Sequence, residues 1–148
     1  MKKAASAGLD GILIVDMPPE ESTDFSREAN KFDIDIIRLI APTTSAKRAK
    51  EICSQCSGYV YYISVKGITG AGNLNAEEVI GKVGVLRKLT DLPIAIGFGI
   101  KDAESASSVM NVADGIVAGS VFVDLIGKNE NVIKNVALKT RELSEVLN

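Results

Sequence analysis

Pro93-Ile-Ala-Ile-Gly-Phe-Gly-Ile100 and Ala113-Asp-Gly-Ile-Val-Ala-Gly-Ser120 are built alike, each a short apolar run that ends in glycine. The apolar residues of Pro93–Gly97 and Gly115–Ala118 follow one another without polar alternation. That is the pattern of strands covered on both faces, and it marks a parallel sheet. Three runs upstream have the same character: Gly11–Val15, Ile34–Ile40 and Tyr59–Ile63. Between the five lie stretches with helical spacing. Glu20–Phe32 follows the Pro18-Pro19 pair, and Ser45–Ser57 opens on a capping serine. Asn75 with Glu78 makes a capping box for a helix to Leu89, and Asp102 caps a helix to Val112. Asn131–Leu147 carries Val132, Val136, Leu143 and Leu147 on one face. Strand and helix therefore alternate, the fold class is α/β, and no linker divides residues 1–148, which read as a single domain.

Two parallel architectures fit this order. An open dinucleotide-binding sheet places a glycine-rich turn after its first strand, but Asp16-Met17-Pro18-Pro19 stands there. The glycines come late, as Gly97-Phe98-Gly99 and Gly119-Ser120 after the last two strands. A (β/α)8 barrel puts its phosphate site there, beside a short extra helix that Val121–Gly127 would supply. The barrel is preferred. Gly81 and Gly84 inside a helix predict close packing against a strand, and Arg38 inside an apolar strand predicts either an acidic partner or a place at the barrel rim.

Composition narrows the chemistry. With 17 Lys and Arg against 19 Asp and Glu, a formal net charge of −2 and no Trp, the chain offers nucleic acid neither a basic footprint nor stacking platforms. There is no His, which removes His-based triads, His metal sites and imidazole proton shuttles. The Lys2-Lys3 start has the wrong order for a secretory leader, and no apolar run approaches the ~20 residues a membrane span needs. A cytoplasmic protein is expected. Cys53 and Cys56 lack a second pair for zinc and do not follow a strand as a redox motif would. They read as reduced core cysteines on one face of the Ser45–Ser57 helix.

The best-supported site is a phosphate cup. Backbone N–H groups at helix N-termini hold a phosphate where small residues let the main chain come close. Gly99 and Gly119 allow that approach and Ser120 adds a hydroxyl. Ser64–Asn73, with three glycines, a Thr and a Lys, fits an active-site lid. Lys66 within it does not fit a Schiff-base lysine, which would sit desolvated on a strand. Asp16 ends a strand and serves equally as a polar site residue or a turn residue. Tyr61 reads as packed core or as a hydroxyl in the barrel mouth, the sequence favouring core. Asp114 and Asp124 read as solvated or capping residues. No metal ligands are assigned.

Five motifs, in order, resemble one family. They are Leu9-Asp-Gly-Ile-Leu-Ile-Val-Asp-Met-Pro-Pro-Glu-Glu-Ser22, Ala41-Pro-Thr-Thr-Ser45, Gly58-Tyr-Val-Tyr-Tyr-Ile-Ser-Val-Lys-Gly-Ile-Thr-Gly-Ala71, Pro93–Ile100 and Ala113–Ser120. They are similar to the tryptophan synthase α-chain family. The resemblance implies a (β/α)8 TIM barrel that cleaves indole-3-glycerol phosphate to indole and glyceraldehyde 3-phosphate, a carbon–carbon lyase of tryptophan biosynthesis. It implies a partner β chain, in an α2β2 complex, that carries pyridoxal phosphate, with no cofactor in this chain. Carried over by motif, Gly70, Gly99, Gly119 and Ser120 would hold the substrate phosphate, and Tyr61, Phe98 and Val117 would line the pocket. Asp16 would sit on its wall, and Thr69 would close over it.

The family's two catalytic carboxylates stand on the first and second strands, whereas the motifs here begin at the helix before the fourth. No catalytic residue is therefore assigned. The expectation is a partial TIM barrel, strands four to eight with their helices, read from a longer α chain. It would carry the phosphate-binding half and be inactive alone. The alternatives are a non-catalytic phosphate-binding or β-chain-docking module, or another phosphate-binding barrel enzyme related to thiamine-phosphate synthase or ribulose-phosphate epimerase.

Overall fold

Apolar, β-branched runs do form the strands, and they pair in simple succession. The computed structural model describes residues 1–64, 76–97, 99–128 and 130–146. In chain order the elements are α1 (Lys2–Ser6), β1 (Gly11–Leu13), a 3-10 turn (Pro19–Glu21), α2 (Thr23–Asn30), β2 (Asp35–Ile40), α3 (Ala46–Cys53) and β3 (Val60–Ile63). There follow α4 (Ala76–Leu86), β4 (Ile94–Gly97), α5 (Ala103–Met110), β5 (Gly115–Val117), α6 (Ser120–Gly127) and α7 (Val132–Glu145). The five strands are parallel in the order β1-β2-β3-β4-β5 and curl into a half-barrel with helices outside, a partial TIM barrel.

Register decides which side chains meet the helices. Leu39, Tyr61, Ala95 and Gly115 lie level across four strands, and Ile63, Gly97 and Val117 lie level one pleat further on. Val60, Tyr62, Ile94 and Ile96 alternate with these, are buried, and pack with Ala49, Ile52, Val79, Val83, Leu86, Ala106, Val109 and Leu143. A smaller cluster, Ala29, Ile34 and Ile36, closes the β1–β2 end under Met1, Ala4, Phe25 and Phe32. The concave face is different. Leu13, Leu39, Tyr61, Ile63, Ala95 and Val117 are only half-buried and join neither core. The strands are apolar on both faces, as read from the sequence, yet the described residues cover only one. In a closed eight-stranded barrel, layers of inward side chains from all the strands fill the other.

Local signals act where the residues carry them. Ser45 accepts from the Arg48 N–H at the start of α3. Asp102 accepts from the Ser105 N–H at 2.9 Å, and Ser105 Oγ accepts from the Asp102 N–H at 3.1 Å, a reciprocal capping box. The expected Glu20–Phe32 helix is divided, because Pro19 opens a 3-10 turn and buried Ser22 separates it from α2. Helix α3 stops at Cys53, so Cys56 lies beyond it rather than on the same helical face. Gly81 and Gly84 are exposed, and outside their own helix no atom of the described residues lies within 4 Å of a would-be Cβ, so close packing does not explain them. The Asn75 half of the expected α4 capping box lies outside the described residues.

Arg38 has neither expected environment. It is 5% exposed on the helix-facing side of β2, and its donors reach Met17 O, Ser22 Oγ, Ser26 Oγ and Gln55 O, with no carboxylate partner among the described residues. Asp114 is also more than a solvated residue. Its Oδ2 accepts from the Ile94 N–H at 2.7 Å and pairs with Arg87 at 2.6 Å, tying the start of β5 to that of β4.

Candidate phosphate and substrate site

The centre of the site is a missing side chain. Tyr61 is level with Ala95, and Gly97 follows two residues on along β4. A Cβ on Gly97 would fall within 3.0 Å of Cε2, Cζ and the hydroxyl of Tyr61, a separation real Cβ atoms essentially never show. The phenol therefore slants along the concave face over Gly97, its hydroxyl toward the C-terminal rim. Tyr61 joins neither core cluster among the described residues. Val117 pairs with Gly97 from the other side, so Tyr61 and Val117 flank a glycine floor. Burial pushes the Tyr61 hydroxyl above its ordinary pKa, so at neutral pH it is a protonated donor.

The rim above this floor is fixed by backbone bonds. Both the N–H and the Oγ of buried Ser64, at the end of β3, donate to Gly97 O, at 2.9 and 2.8 Å. Two residues past Gly97, Gly99 turns the chain with φ +86, a conformation glycine adopts without strain. Two residues past Val117, Gly119 is the N-cap of α6. Gly97 and Val117 are register partners, so Gly99 and Gly119 each stand two residues past the paired ends of adjacent strands.

Helix α6 has no side-chain cap, and its first accepted bonds run from Phe122 and Val123 to Gly119 O, at 3.0 and 3.2 Å. The amides of Ser120 and Val121 precede any intrahelical acceptor. Among the described residues beyond its chain neighbours, no atom comes within 4 Å of a would-be Cβ on Gly119, and both Gly119 and Ser120 are exposed. Donors at a positive helix end, open to approach, suit an anion. Helix α6 begins at Ser120, one residue before the sequence reading put it.

Tyr61, Val117, Gly99, Gly119 and Ser120 thus gather on the ends of β3, β4 and β5. Asp16 does not join them. It is exposed in the turn after β1, with β2 between that strand and β3. Gly70, Thr69, Lys66 and Phe98 lie outside the described residues. The sequence reading missed two contributors. Gly97 was visible only as a glycine ending a strand, and Ser64 carried no signal of its bond to the next strand.

A general acid needs a carboxyl pKa raised toward neutrality. Every clearly displaced carboxyl among the described residues moves down: Glu20 through Arg48, Glu28 through Lys31, Asp102 through Ser105 and Glu142 through Lys139. Among the described residues no cluster of three or more Cys, Asp or Glu is placed to hold a metal ion, and no helix is long and apolar enough to cross a membrane.

Comparison with known proteins agrees with this geometry. The family model of the tryptophan synthase alpha chain matches residues 1–148. The tryptophan synthase alpha chain of Thioalkalivibrio sulfidiphilus is 50% identical over 127 residues, 86% of this chain and 48% of its own length. That of Paraburkholderia phymatum is 44% identical over 142 residues, 90% and 52% of the two. A solved structure from Aquifex aeolicus superposes with a TM-score of 0.85 at 33% identity, over 99% of this chain and 54% of that one. The tryptophan synthase subunit alpha of Legionella pneumophila gives a TM-score of 0.81 at 28% identity over 98% and 54%. The chain spans about half the length of the curated relatives it matches. A curled parallel half-sheet, glycine turns after two adjacent strands and this match along the whole chain together place the protein in the tryptophan synthase α-chain family.

Proposed function

We propose that this chain supplies the phosphate- and indole-holding half of an enzyme that cleaves indole-3-glycerol phosphate to indole and glyceraldehyde 3-phosphate. The observation that carries the reading is the pair of glycine turns, Gly99 and Gly119-Ser120, that follow register-paired strands, the second of them at the open N-terminus of α6. They would bind the phosphate ester through main-chain donors. Tyr61 and Val117, over the Gly97 floor, would take the flat apolar ring. Asp16 would border the pocket, and Gly70, Thr69 and Phe98 would complete it from the lid and the β4 end.

The retro-aldol step needs a base for the indole N–H proton and an acid for the ring carbon, each within hydrogen-bond reach. Neither is assigned to a residue of this chain. The proposed division of labour leaves them to the first strands of the barrel and leaves pyridoxal phosphate to a β chain docked on the α chain, in the cytoplasm. Product glyceraldehyde 3-phosphate should bind the purified chain, Gly119→Asp should abolish binding without changing the far-ultraviolet spectrum, and no indole should be released. Unchanged affinity in Gly119→Asp would overturn the phosphate cup, and steady indole release at the rate of an intact α chain would overturn the division of labour.

A further inference from the structure

We propose that Arg38 is a positioning residue: its buried guanidinium holds the segment from Met17 to Ser22, and through it sets where the Asp16 turn stands at the pocket rim. The proposal rests on the reading of Asp16 as a wall residue of that pocket. Its starting point is a shortage of donors. Pro18 and Pro19 have no N–H, so the segment can satisfy few backbone acceptors by itself. Glu21 N–H and Ser22 N–H turn back to Pro18 O and Pro19 O, at 3.1 and 3.3 Å, but Met17 O depends on a side chain.

Arg38 Nη1 donates to Met17 O at 3.3 Å, and Nη2 donates to Ser22 Oγ and to Ser26 Oγ, the latter at 3.3 Å. Ser22, with no exposed surface, passes the connection on by donating Oγ–H to Pro19 O at 2.9 Å. Nε faces Gln55 O, beyond the end of α3, at 3.5 Å. One rigid fork therefore spans the turn after β1, the first turn of α2 and the chain beyond α3.

A buried charge is costly without compensating bonds, and an aliphatic residue in this row would pack as its neighbours Ile36 and Ile40 do. Core formation alone does not call for Arg at position 38. What the guanidinium adds is a fixed course for a donor-poor loop. The other tether, Glu20 with Arg48, lies in solvent, where an ion pair is screened and holds less.

The test uses the whole 148-residue chain, labelled with 15N. In Ser22→Ala and Arg38→Lys the amide signals of Asp16, Met17, Glu20 and Glu21 should move, and their hydrogens should exchange about tenfold faster, while those of β3 and β4 stay in place. Added guanidinium ion should return the signals of Arg38→Ala toward wild type, a rescue that a general loss of packing would not show. Ser22→Ala removes one acceptor of Arg38 and one donor to Pro19 O while leaving the guanidinium in place, and so reads the anchor even if Arg38→Ala does not fold. Loop signals unmoved in both milder variants, or disturbance spread evenly over the sheet without rescue, overturns the proposal. Titration with indole-3-propanol phosphate should shift the Asp16 amide in wild type and bind about tenfold more weakly to Ser22→Ala. An Asp16 signal that ignores this ligand, while the variants still displace the loop, overturns the pocket reading and not the anchor.

Discussion

The ring of Tyr61 lies over the α-carbon of Gly97, on the neighbouring strand and two residues nearer the C-terminal rim. Neither residue explains the other's place alone. The tyrosine slants because β4 offers no side chain there, and the glycine is required because the tyrosine fills that space.

Gly97→Ala should therefore force the phenol out of its groove and destabilise the chain by about 1–3 kcal/mol, the usual cost of overpacking. Chemical denaturation measures it. In a Tyr61→Ala background the same substitution should cost at least ~0.5 kcal/mol less. Additive costs would show that the two residues do not compete for one space.

Leu39, Tyr61, Ile63 and Val117 leave an apolar concave face half-covered, and β1 and β5 have no outer neighbours among the described residues. Unpaired edges and exposed apolar surface promote association. The 148-residue chain by itself should self-associate between about 1 and 100 μM in sedimentation velocity. Ile63→Lys should lower the association. A single monomeric species across that range would mean the concave face is closed in solution.

Hydrogen bonding to Arg48 holds the Glu20 carboxyl at about 2, against an ordinary 4.5. The folded value is the lower one, so the pair's contribution is present above about pH 4.5 and is lost as pH falls from there through 2. Both partners are exposed, so the effect is small and weakens with salt. Carbon-13 titration of the Glu20 carboxyl should give the depressed midpoint in wild type and an ordinary one in Arg48→Gln. Equal midpoints would remove the pair from solution.

Burial pushes the Cys56 thiol up to about 11 from an ordinary 9.0, even though the Arg38 backbone and charge pull the other way. Two units mean about a hundredfold less thiolate near neutral pH. Iodoacetamide should modify Cys56 about a hundredfold more slowly than a small free thiol and at the ordinary rate in urea. Fast labelling of the folded chain would contradict the burial.

How much was legible in advance depends on the range of the interaction concerned. The five strands, the caps at Ser45 and Asp102, and the two glycine turns rest on residues within a few positions of one another, and they stand where the sequence put them, with strand ends shifted by at most two residues. The divided helix at Ser22 was missed because the polar run Glu20–Asp24 carries no local break signal once the prolines are passed. What stops the helix is a proline turn and a buried hydroxyl bonded to a distant arginine. The two glycine turns were legible as glycines, but that they follow register-paired strands required the pairing of Gly97 with Val117.

By itself, the amino-acid order determined a parallel α/β sheet with its polar and glycine-rich turns at one end, and it identified the family, because alternation, capping and turn chemistry are local. Only the tertiary structure decided that Tyr61 leans toward the mouth, that Gly97 makes room for it, and that Arg38 turns outward to hold the loop after β1. Those three depend on which residue of the next strand stands alongside. A side chain's direction is set by the space and the partners its neighbours leave, and that information lies in the register between strands, not along any one of them.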